Sequence, residues 1–82
     1  MFSLTAQNIT EGGEQMRDWM KNARVEKGFT QLQVAEKIGI TEGYYSLIEN
    51  GERMKSLDLT FAKRLAELFG MTVQQVIEKE RI

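Results

Sequence analysis

Polar side chains gather in one stretch of the chain, TQLQVAEKIGITEGYYSLIENG, residues 30 to 51. Gln31, Thr41, Glu42, Tyr44, Ser46 and Asn50 present amides, hydroxyls and a carboxylate, groups suited to giving and taking hydrogen bonds. They do not assemble a catalyst. The chain has no histidine and no cysteine, so the commonest general base, the thiolate nucleophile and the usual transition-metal ligands are all missing. No nucleophile–base pair, metal cluster or glycine-rich phosphate loop stands elsewhere. The expectation is a protein that is not an enzyme, needs no metal and no cofactor, and works by recognition.

Spacing within the stretch says how those groups would be held. Counting Gln31 as position one, Ala35 falls at five, Gly39 at nine, Tyr45 at fifteen and Ile48 at eighteen. Two helices crossing steeply after a short turn need a small residue where they approach, a residue tolerant of positive φ at the turn, and apolar residues locking the second helix. Ala35, Gly39 and the pair Tyr45 and Ile48 meet those needs. The N-terminal, outward face of the second helix is then free to enter a groove about 12 Å wide, the width of the DNA major groove.

The elements around this pair follow from caps and apolar period. Helix 1 is expected over Glu14 to Lys27, with Met16, Trp19, Met20 and Ala23 on one face and Gly28 ending it. Trp19 is expected to pack on an N-terminal arm or on the end of helix 5. Thr30 with Gln33 forms a capping box for helix 2, which buries Val34, Ala35 and Ile38 and stops at Gly39. Thr41 caps helix 3, which runs to Asn50 and Gly51. The segment ERMKS reads as a loop. Asp58 caps helix 4, with Leu59, Ala62, Leu65, Ala66 and Phe69 inward and Gly70 closing it. Thr72 with Gln75 starts a short helix 5 carrying Val73, Val76 and Ile77 and fraying near Arg81. Residues 1–13 are expected to be a partly ordered N-terminal arm and residues 14–80 the domain, and no segment signals a strand.

Eighty-two residues with 41% hydrophobic content and no proline make one small domain. Eleven basic and twelve acidic side chains leave a net charge of −1, too little to hold the protein on nucleic acid by bulk charge. No apolar run suits a membrane span and the N-terminus lacks the pattern of a secretory signal, so a cytoplasmic protein without membrane contact is expected.

The run ARVEKGFTQLQVAEKIGITEGYYSLIENG, followed by AKRLAELFGMTV, resembles the Cro and phage-repressor, or xenobiotic-response-element (XRE), type of helix-turn-helix domain. The resemblance covers about Met20 to Val76. It implies an all-α, five-helix bundle that binds operator DNA as a homodimer and regulates transcription as a repressor. Gln31 would then touch a phosphate, Thr41, Glu42, Gly43, Ser46 and Leu47 would face the groove, and Asn50 would meet the backbone again. Arg24 and Glu49 resemble a pair that joins helices 1 and 3 through a partly buried salt bridge. Glu42 and Gly43 depart from the glutamine, arginine or serine often found there, and the ERMKS loop lacks a frequent proline.

Tyr44 and Tyr45 point about 100° apart on a helix, so Tyr45 goes inward and Tyr44 is left for phosphate contact or half-buried packing. Arg53 and Lys55 are the best local basic pair for a DNA backbone, or else solvated surface charges. Phe69, Met71, Val76, Ile77 and Ile82 are more apolar surface than two short helices bury alone, which points to a homodimer through the C-terminal helices. A module of the same fold that binds an antirepressor or another protein partner is the alternative, permitted by Glu42, Gly43 and the charge of −1.

Overall fold

The computed structural model describes residues 16 to 81, so the expected arm over residues 1–13, the first residues of the expected domain and Ile82 lie outside the described part. The described residues form α1 (Asp18–Glu26), α2 (Gln31–Ile38), α3 (Glu42–Glu49), α4 (Leu59–Phe69) and α5 (Val73–Glu80), with no strand among them.

Short polar side chains start four of these helices. Thr30 Oγ1 accepts from the Gln33 N–H at 3.1 Å while Gln33 Oε1 accepts from the Thr30 N–H at 2.8 Å, and Thr72 and Gln75 repeat the exchange. Thr41 accepts from the Tyr44 N–H, and Asp58 from the Thr60 N–H. Each cap satisfies N–H groups that have no partner inside the helix. Gly39 and Gly70 end α2 and α4 at φ of 81° and 70°, a left-handed geometry that a side chain would strain.

Helix α1 departs from expectation. It begins at Asp18, and its N-cap residue Arg17 makes no side-chain cap bond. Met16, expected on the buried face, precedes the helix and is 53% exposed. Leu59, expected inward, is also exposed, because it is the first residue of α4 and projects past the packed stripe; Phe61 is buried in that stripe instead, with Ala62, Leu65, Ala66 and Phe69.

The main core joins Met20, Val34, Ile38, Tyr45, Ile48, Phe61, Leu65 and Phe69. A smaller cluster of Ala62, Ala66 and Val76 seats α5 on α4, with Trp19, Leu57 and Met71 touching both clusters. At about 1.5 to 3 kcal/mol for each large apolar side chain buried, these contacts and not helix propensity hold such short helices. The C-terminal apolar residues are therefore partly used within one chain. Phe69 and Val76 are buried, Met71 is half-buried, and Ile77 remains exposed.

Candidate nucleic-acid interface

The turn between α2 and α3 consists of Gly39, Ile40 and Thr41. The N–H groups of Gly39 and Ile40 both donate to the Ala35 carbonyl at 2.9 Å, which closes α2 and turns the chain sharply. Ala35, fully buried, stands where the two helices pack.

The inner side of α3 is locked by a polar cluster around Glu49, which is only 2% exposed. Arg24 of α1 reaches it with two nitrogens, Nε to Oε2 at 2.9 Å and Nη2 to Oε1 at 3.2 Å. Tyr45 donates its hydroxyl to Oε2 at 2.8 Å, and Gln31, the first residue of α2, donates its amide to Oε1 at 2.9 Å. Arg24 also donates to the Phe29 carbonyl. One carboxylate thus ties three helices together, with a bidentate ion pair at its centre. Burial pushes the Glu49 carboxyl up, but the donors from Arg24, Gln31 and Tyr45 outweigh it and hold the group below its ordinary value. Burial and the bond to Glu49 push the Tyr45 hydroxyl the other way, well above its usual range.

The outer side is open. Thr41, Glu42, Gly43 and Tyr44 are exposed, and Ser46, Leu47 and Asn50 are half-buried along the same helix and its end. Among the described residues, the side chains of Glu42, Tyr44, Ser46 and Asn50 have no hydrogen-bond or ionic partner. Thr41 Oγ1 accepts its cap bond and keeps its own O–H hydrogen to donate. Gln31 is half-buried, and its bond to Glu49 uses one of two amide hydrogens. Arg53 and Lys55 are exposed in the loop behind α3.

The helix-turn-helix family model matches residues 20–76 of this chain. It belongs to the XRE-type helix-turn-helix family. The chain is 46% identical over 55 residues to the uncharacterized HTH-type transcriptional regulator YqaF of Bacillus subtilis (strain 168), covering 67% of this chain and 70% of that one. No solved structure matches it significantly. In this helix-turn-helix protein α2 and α3 are the paired helices, and α3 presents the open face.

Three features are not legible in the sequence. Gln31 and Tyr45 join the Arg24 and Glu49 pair, which no helical period within one segment could signal. Met54, in the expected loop, takes a φ of +53°. Arg17 is buried at 7% exposure and reaches α3, the following loop and α5 at once. Only its position just before an apolar stripe, facing a run of helix-end carbonyls, would hint at it. Among the described residues, no helix is long and apolar enough to cross a membrane.

Proposed function

We propose that this protein is a sequence-specific DNA-binding transcriptional regulator that acts as a repressor, binding a two-fold-related operator as a homodimer with α3 in the major groove. The observation that carries this reading is the asymmetry of α3: a locked inner side and an outer side on which, among the described residues, the side chains of Glu42, Tyr44, Ser46 and Asn50 have no hydrogen-bond or ionic partner. Family membership and the likeness to a Bacillus subtilis transcriptional regulator support it. Gln31 and Asn50 would hold phosphates, with Tyr44, Arg53 and Lys55 adding backbone contacts and Thr41 facing the groove. Glu42, Gly43, Ser46 and Leu47 would face base edges, Leu47 against a thymine methyl. The second copy would cover the apolar part of the groove between α4 and α5, Leu57, Leu59 and Ile77, where Leu59 and Ile77 are exposed. Two recognition helices would then lie about 34 to 36 Å apart.

Glu42 is the residue that resists this reading, since phosphates repel it. Its place in the first turn of α3 supplies an intramolecular reason, because a carboxylate there favours the helix dipole by about 0.3 to 1 kcal/mol. It also favours the second reading, a module that binds a protein partner. Selection of bound sequences from a random DNA pool, followed by titration at two salt concentrations, separates the two. Affinity that falls with salt supports DNA binding, and a salt-insensitive background would leave the interaction module. Glu42→Gln should tighten DNA binding by several-fold and shift preference at one symmetric pair of operator positions. Sedimentation of the free protein and a reporter placed under the selected operator test the dimer and the repressor role.

A further inference from the structure

We infer that Arg17 is a positioning residue for the DNA contacts: it clamps the end of α3 and the loop carrying Arg53 and Lys55 into one geometry, with Glu80 of α5 as its counter-charge. This rests on the DNA-binding reading above and names the device that would make the loop competent.

The need for such a clamp is visible in the backbone. The end carbonyls of α3 must find partners beyond the helix: Leu47 and Ile48 accept from the N–H groups of Gly51, Glu52 and Arg53, while Glu49 is left to another segment. The loop after it holds Met54 at a φ of +53°, a conformation that a residue with a β-carbon adopts only when its surroundings impose it. The Glu52 and Arg53 N–H groups donate to the Leu47 carbonyl at 2.8 and 3.2 Å, and Arg17 adds the side-chain constraint on the residues that follow. Its Nη1 donates to the Ile48 carbonyl at 2.6 Å and to the Arg53 carbonyl at 3.3 Å, and its Nη2 donates to the Met54 carbonyl. Its own backbone N–H donates to the Glu49 carbonyl at 2.8 Å. One side chain thereby gathers the last turn of α3 and two consecutive residues of the loop.

A guanidinium buried this deeply requires a counter-charge. Glu80, the last residue of α5, provides it, with Oε2 at 2.9 Å from Arg17 Nε. The indole N–H of Trp19 donates to the same oxygen at 2.7 Å and fixes the carboxylate from the other side. Lysine could carry the charge but not the geometry, because it lacks the planar fork that spans three carbonyls.

Asn50, Arg53 and Lys55 all stand on the clamped segment. A loop held in one conformation does not lose its freedom on binding, so phosphate contacts made from it are stronger than the same contacts from a mobile loop. Released from Arg17, the segment would keep its charges and lose their placement.

The test is a salt-dependent DNA titration of the full chain, using the operator selected from the random pool. Arg17→Lys should remain helical and bind about tenfold more weakly, with the salt slope reduced by about 1 for each phosphate that the loop no longer neutralises. In an Arg53→Ala, Lys55→Ala background the same change should cost little more, because the charges it positions are already absent. Glu80→Gln, which keeps an acceptor for Trp19 and removes only the counter-charge, should give a smaller loss of the same kind. Arg17→Lys that folds and binds with wild-type affinity and slope overturns the inference, as do losses that simply add. An Arg17→Lys chain that does not fold, beside a Glu80→Gln chain that binds as wild type, overturns it too. Wild-type protein that binds no DNA in a salt-dependent way removes the DNA-binding reading itself and this inference with it.

Discussion

The two sides of α3 are built under different rules. On the inner side, Tyr45, Ile48 and Glu49 are buried and every polar atom of the Glu49 carboxylate is used. On the outer side, a β-carbon at Gly43 would meet nothing within 4 Å, and among the described residues the side chains of Glu42, Tyr44 and Ser46 have no hydrogen-bond or ionic partner. Fold stability constrains the first set and leaves the second to whatever the helix meets. Changes on the inner side should therefore cost stability, and changes on the outer side should alter binding while leaving the fold intact.

Glu49→Ala should break the inner side most severely. It strands the charge of Arg24 and removes the acceptor of Gln31 and Tyr45, and removing one partner of a buried pair costs about 3 to 5 kcal/mol. Urea denaturation measures it, and a loss below about 1 kcal/mol, the value of an exposed pair, would mean that the cluster is solvated and the contrast between the two sides false. Ala35→Leu comes next. It overpacks the α2 and α3 crossing at a fully buried site and should cost about 1 to 3 kcal/mol, read as a lower denaturation midpoint.

Acid and alkali both weaken the same cluster, from opposite ends of the pH range. Glu49 is held below its ordinary value of 4.5 in the folded protein, so below that value the unfolded chain binds the proton first. Stability from this group is complete above about pH 4.5 and drains away as pH falls through the folded value. Tyr45 is displaced upward from 10.0, so the unfolded chain loses its proton first and stability falls as pH rises above that value. Denaturation midpoints across pH should show both slopes in wild type. Glu49→Gln should flatten the acid slope and Tyr45→Phe the alkaline one.

What can be read in the sequence follows the same division. The caps Thr30, Thr41, Asp58 and Thr72 and the left-handed glycines Gly39 and Gly70 act through residues at most a few positions away, so their patterns mark four helices directly. Tyr45 and Ile48 are legible because a helical period separates inside from outside. Arg17 is not, since its partners are carbonyls and a carboxylate brought from α3, the following loop and α5 by the fold itself. Leu59 and Met16 mislead for a related reason: period alone does not say where a stripe runs past the neighbour that should cover it. The C-terminal apolar residues look like surplus surface along the chain, yet Phe69 is buried in the main core and Val76 in the smaller cluster with α4. On the outer side the residues themselves are visible, but what they touch is not, because nothing within the fold selects them.

Gly43 makes the smallest change and the one that separates the two sides most cleanly. It lies in the first turn of α3 outside the left-handed φ range, and a β-carbon added to it would meet nothing within 4 Å. Neither turn geometry nor packing calls for glycine there, and glycine costs a helix roughly 0.5 to 1 kcal/mol relative to alanine. Gly43→Ala should accordingly stabilise the protein by about that amount, raising the melting temperature by roughly 2 to 8 °C in a domain of this size. This sign is opposite to that of every inner-side change. On the DNA-binding reading Gly43 faces the groove with a bare backbone, so a methyl group added there should weaken operator binding several-fold even as the fold becomes firmer. Thermal melts and operator titrations of the one variant give both numbers. A lower melting temperature would show that the outer side is constrained by the fold after all, and a firmer protein with unchanged affinity would mean that Gly43 does not face the groove.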